Sequence, residues 1–162
     1  MLHSENKKYK VINMLNAHAV ADYFLARVAT EEGELISNLK LQKLLYYGQG
    51  FHLALYGDPL FKENLEAWNH GPVVPEIYHR FKEYGSSPLP RPDDFDGEKY
   101  DKELSGFLEE VYDVYGQFSA WKLREMTHEE PPWKEAYARN RGVISHDSMK
   151  KYFKTQIVSQ AN

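Results

Sequence analysis

The chain contains no cysteine, which excludes disulfides, thiolate zinc sites and cysteine nucleophiles together and suits a reducing compartment. No apolar run approaches the roughly 18 residues needed to span a bilayer, and residues 1–10 lack the apolar centre of a signal peptide. A cytoplasmic protein with no membrane partner is the expectation. A basic excess is missing too: the net charge is −4 and the isoelectric point near 6.0, so bulk charge leaves no footprint for nonspecific nucleic-acid binding. The seven histidines form no His-x-x-x-His pair, and there is no Gly-x-Ser-x-Gly elbow, Walker loop or dinucleotide glycine pattern. Glu76-Ile77-Tyr78-His79 has the Glu-x-x-His spacing of di-iron bundles but occurs once, where such sites need two copies and further glutamates. Neither a metal nor another cofactor is expected, and catalysis has no positive support.

What the chain does have is 162 residues, 42% of them apolar and 14% aromatic, enough for one domain with a real core. Its densest feature is Leu39-Lys40-Leu41-Gln42-Lys43-Leu44-Leu45-Tyr46-Tyr47-Gly48-Gln49-Gly50. That run is apolar on nearly every side of a helix, yet it carries Gln42 and Lys43, which a chain embeds only where they find partners. Ser37 or Asn38 caps this helix and Gly57-Asp58-Pro59 stops it, so it reads as the central helix of the domain. Lys43 there snorkels to solvent, pairs with a buried carboxylate, or lines a groove.

Apolar spacing predicts the other elements. Asn16 caps a first helix through Ala17, Val20, Ala21, Phe24 and Val28, ended near Gly33. Residues 59–68 read as a short two-stranded hairpin turning at Glu63-Asn64, and Pro75 opens a short helix running to Gly85. Three prolines between Ser86 and Gly97 mark a surface loop. Further helices follow over 101–115, from Ala120 after a Ser119 cap, from Pro132 to Gly142, and after a Ser145 cap. The fold class is therefore mainly α: one helical domain of six to seven helices with a hairpin near residues 59–68. Residues 15–155 form the domain, with 1–14 an N-terminal extension and 156–162 a C-terminal tail.

Charge is two-sided. Nine acids and two lysines lie between Asp93 and Asp113, whereas Lys134 to Lys154 holds six basic residues and two acids. Such polarity suits a charged protein partner or a pairing of two copies, and Arg139, Arg141, Lys150, Lys151 and Lys154 offer phosphate contacts.

Taken together, Leu39 to Gly50, Ala67-Trp68-x-x-Gly71-Pro72-Val73-x-Pro75-x-Ile77-Tyr78-x-x-Phe81-x-x-Tyr84-Gly85, Phe118-Ser119-Ala120-Trp121-x-Leu123, Thr127-His128 and Pro132-Trp133 resemble the SocA-like, or Panacea, antitoxin domain. The resemblance runs in order from about Leu15 to Phe153. It implies an α-helical antitoxin that neutralises a cognate protein toxin encoded beside it by direct contact, and some members are phage-associated or carried on mobile elements. Leu41, Gln42, Leu44, Gly71, Pro72, Pro75, Ser119, Trp121, His128 and Trp133 would then be structural motif residues. Lys43, Tyr47, Trp68, His70, Tyr78, Asp94, Arg139, Arg141, Lys150 and Lys151 are the candidates for touching the toxin. The few residues flanking the domain leave no room for a helix-turn-helix, so a bare neutralisation domain is expected. A nucleic-acid regulator using the basic C-terminal helices is the alternative, and a small hydrolase using His70 or His128 ranks last.

Overall fold

Helix starts are set locally. Asn16 accepts from the Ala19 amide at 2.8 Å and opens α1 (Ala17–Arg27); Ser37, not Asn38, accepts from Lys40 and opens α2 (Asn38–Tyr56). The computed structural model describes residues 2–4, 14–28 and 35–159. Gly33, expected to end the first helix, lies outside them.

After α2 the chain forms β2 (Leu65–Trp68) and β3 (Gly71–Val73), then α3 (Pro75–Phe81), with Pro75 in the first turn as expected. α4 (Lys102–Tyr115) is capped by Asp101, α5 (Ala120–His128) by Ser119, and α6 spans Pro131–Ala138. β4 (Val143–Ile144) leads into α7 (His146–Lys154), capped by Ser145. Near the ends, β1 (Leu2–Ser4) pairs in parallel with β5 (Ile157–Ser159) inside the segments read as extension and tail. Among the described residues, seven α-helices with two small sheets, of two and three strands, give the mainly helical architecture that the apolar spacing predicts.

α2 is the spine. Every residue from Lys40 to Leu53 is buried, and the polar ones each tie down a neighbouring segment. Gln42 donates to Asn38 at 2.9 Å and accepts from the Val74 amide at 2.8 Å. Gln49 donates to the Phe61 carbonyl at 2.9 Å and accepts from the Leu60 amide at 2.7 Å. Lys40 reaches the Gly116 carbonyl at 2.6 Å. These bonds satisfy side chains that would otherwise be costly to bury, and they join three connections to one helix. α7 crosses the spine at Gly50, where Phe153 lies 4.8 Å from Phe51 and 5.3 Å from Tyr46 between ring centroids. A Cβ on Gly50 would stand 2.1 Å from that Phe153 ring.

Two expectations need correction. The hairpin joins 65–68 to 71–73 around Asn69-His70, rather than turning at Glu63-Asn64 within 59–68. Gly71, at φ 110°, takes a backbone conformation open to glycine and so permits the two-residue turn. Residues 59–64 are held otherwise, by the Gln49 bonds and by Glu63, whose carboxylate accepts from the Ala17 amide at the start of α1. β4 joins the hairpin as a third antiparallel strand, in the order β3-β2-β4. Secondly, α6 stops at Ala138 instead of reaching Gly142: Asn140 and Arg141 turn left-handed at φ 64° and 59°, and the Gly142 carbonyl then accepts from Ala67.

The acidic segment is partly engaged internally. Glu109 on α4 pairs with Arg27 at 2.6 Å and accepts from the Tyr23 hydroxyl at 2.7 Å, clasping α4 to α1. Among the described residues no helix is long and apolar enough to cross a membrane.

Candidate functional site

The hairpin, the start of α2, α3 and the first turn of α5 enclose a groove of about 410 Å³. Its lining gathers four residues singled out from the sequence, Lys43, Trp68, His70 and Tyr78, with Gln42 and Trp121. Trp68 meets Tyr78 edge to face at 5.0 Å. Trp121 stands across from them 57% exposed, and the Arg124 guanidinium lies 4.5 Å over its ring. Arg124 also donates to His70 at 3.1 Å, linking α5 to the hairpin tip.

The hairpin is braced from behind by α6. Trp133 donates its indole N–H to the Trp68 carbonyl at 2.9 Å, Tyr137 donates to Asn69 at 2.7 Å, and Trp133 stacks between His128 and Tyr137. The aromatic wall therefore stands on a fixed support rather than a free loop.

Lys43 is completely buried and donates to the Pro72 carbonyl at 3.2 Å. Its Cε also fills the space a side chain at Gly71 would need, 2.5 Å from a Cβ placed there. Burial, and secondarily the Arg124 charge, pull its ammonium down to about 7. Of the three readings left open for it, solvent contact and a carboxylate pair are both corrected: the side chain ends on a backbone carbonyl.

The remaining candidates lie apart. Tyr47 is buried and faces a different constellation, in which Tyr46 and Tyr47 donate to the two oxygens of Glu130, each at 2.9 Å. Tyr47 also stacks on Tyr115 at 3.9 Å, so it presents no surface to a partner. Burial pushes the Glu130 carboxyl up to about 7 against the opposing effect of its tyrosine bonds. A cavity of about 760 Å³ opens beside it, lined by His128, Glu129 and Tyr152 among others. Asp94 is exposed on the loop before α4; Arg139 and Arg141 follow α6; Lys150 and Lys151 lie on α7, none of them in the groove.

Motif residues divide similarly. Leu41, Gln42, Leu44, Gly71 and Pro72 are buried, Pro75 opens α3, Ser119 caps α5, and His128 packs on Trp133. Trp121 departs from its structural assignment, because its ring is largely in solvent. Arg124 and Glu130 escaped the sequence reading. Arg124 was findable as the residue one turn beyond Trp121, whereas Glu130 gave no signal ahead of two prolines.

The family described as antitoxin SocA-like, Panacea domain, matches residues 41–134. Antitoxin SocA of Caulobacter vibrioides is 44% identical over 71 residues, an alignment taking 44% of this chain and 37% of that protein. The chain thus aligns with well under half the length of this relative. No solved structure matches. With a match running from the buried spine through the hairpin and the aromatic groove into α6, the chain belongs to the SocA-like, Panacea-domain antitoxin family.

Proposed function

We propose that the protein is an antitoxin that neutralises a protein toxin encoded beside its own gene, by direct binding rather than by catalysis, in the cytoplasm. The observation that carries the proposal is the groove itself. Trp68, Tyr78 and Trp121 form a rigidly backed aromatic surface inside the family-matched span, of the residue types that dominate protein interfaces. The basic residues Lys150 and Lys151 fall beyond that span, which favours the groove over the C-terminal helices as the contact.

Co-expression with the product of the adjacent gene tests it. The expected result is rescued growth and co-purification, both lost in Trp121→Ala, which removes an exposed aromatic anchor worth about 2 kcal/mol or more in binding. Because Trp121 is exposed, the variant should keep its melting temperature. Absence of both rescue and co-purification with the unaltered chain would reject the antitoxin reading; full activity of the variant would move the contact away from the groove.

A further inference from the structure

Lys43 has an environment that the fold alone does not account for. Its ammonium has three N–H donors and one hydrogen-bonded acceptor, the Pro72 carbonyl, and the side chain is wholly buried. Among the described residues no carboxylate lies within ion-pair distance of it. The charges around it are of its own sign: Arg124 acts on it, and Lys82 shares the groove lining with it. Arg124 is likewise without an acidic partner among the described residues. A buried cation in such company is costly, and a bound anion would offset that cost.

We infer that the groove docks a glutamate side chain of the protein partner, its carboxylate set against Lys43 and Arg124 and its apolar neighbours lying on Trp68, Tyr78 and Trp121. The inference rests on the reading of the chain as a protein-binding antitoxin and names the chemistry of what it binds. Charge complementarity selects a carboxylate. The walls select the carrier: aromatic rings offer few partners for peptide groups, so a chain terminus would bury backbone N–H and C=O groups unsatisfied, whereas a glutamate reaches inward on two methylenes and leaves its backbone at the rim. Trp121, largely exposed and held by its stacking with Arg124, forms the outer wall against which those apolar neighbours lie.

The test uses the full chain labelled at lysine for NMR and three N-acetylated peptides. One is acetyl-phenylalanyl-glutamyl-leucine amide, one its glutamine counterpart, and one an acetylated phenylalanyl-leucine with a free carboxyl end. The glutamate peptide is expected to saturate by about 10 mM. It should raise the Lys43 titration midpoint by about one unit or more, because a carboxylate favours the charged amine. The glutamine peptide should bind about tenfold more weakly. Lys43→Met, which keeps the length of the stem, should abolish the preference with an unchanged near-ultraviolet circular dichroism spectrum. If that variant fails to fold, Arg124→Gln on the half-buried face of α5 should reduce the preference about threefold. Equal binding of the glutamate and glutamine peptides, an unmoved Lys43, or binding of the free-carboxyl peptide alone would each overturn the inference. Co-purification separates the two readings. If the unaltered chain and Lys43→Met capture the neighbouring gene product equally, the glutamate pocket falls and the antitoxin reading stands. If the unaltered chain captures nothing, the antitoxin reading falls, while the peptides still report on the groove.

Discussion

Replacing Glu130 by glutamine should make the protein more stable at alkaline pH. Glu130 is 8% exposed, and its two oxygens accept from Tyr46 and Tyr47. Burial raises its pKa from 4.5 to about 7. The folded chain therefore holds this proton more tightly than the unfolded chain, so the contribution to stability is complete below about pH 4.5 and is lost as the pH rises through about 7. A difference of that size corresponds to roughly 3 kcal/mol. Glutamine keeps the volume, carries no charge at any pH, and can still engage both tyrosines, because a hydroxyl can turn to accept from the amide. Relative to the unaltered protein, Glu130→Gln should be about equally stable near pH 5 and roughly 2–3 kcal/mol more stable near pH 8. Urea unfolding across that range, with the slope m unchanged, reads the difference directly. Lys43 titrates in the opposite sense: its pKa falls from 10.5 to about 7, so its contribution is present above about 10.5 and lost as the pH falls through about 7. Both proteins carry Lys43, so it cancels in the difference. A stability offset that does not change with pH would refute the argument, since it would mean that Glu130 does not take up its proton in this window.

Two core substitutions test the packing of the spine. Gly50→Ala places a methyl group into the Phe153 ring and must displace α7, costing about 1–3 kcal/mol; a lowered melting temperature checks it. Gln49→Ala strips the Leu60 amide and the Phe61 carbonyl of their partner and opens a cavity, for a loss of about 2–4 kcal/mol in chemical denaturation, with amide exchange accelerated first at Leu60.

Much of the scaffold is readable because its causes are local. Asn16, Asp101, Ser119 and Ser145 each accept from an amide three residues on, so cap and helix are written in the same short stretch. The spine is equally legible, because a helix apolar on every side has nowhere to lie except between other elements. Asn140 and Arg141 ended α6 against the periodicity, since β4 pairs with β2, a strand far back along the chain. The position of the hairpin's turn escaped for a related reason: Asn64 and Asn69 are both turn formers, and the Gln49 and Glu63 bonds chose between them.

By itself, then, the sequence determined the helical class, the caps, the central helix and the family, all of which depend on residue order over one or two turns or on an ordered set of motifs. Tertiary structure decided which polar groups meet. Only the fold brings Glu130 under Tyr46 and Tyr47 more than 80 residues earlier, stands Trp121 in solvent opposite Trp68, and leaves Lys43 buried on a carbonyl beside Arg124. The physical reason is that burial and pairing are properties of neighbours in space, and no periodicity along the chain records which distant side chain will arrive.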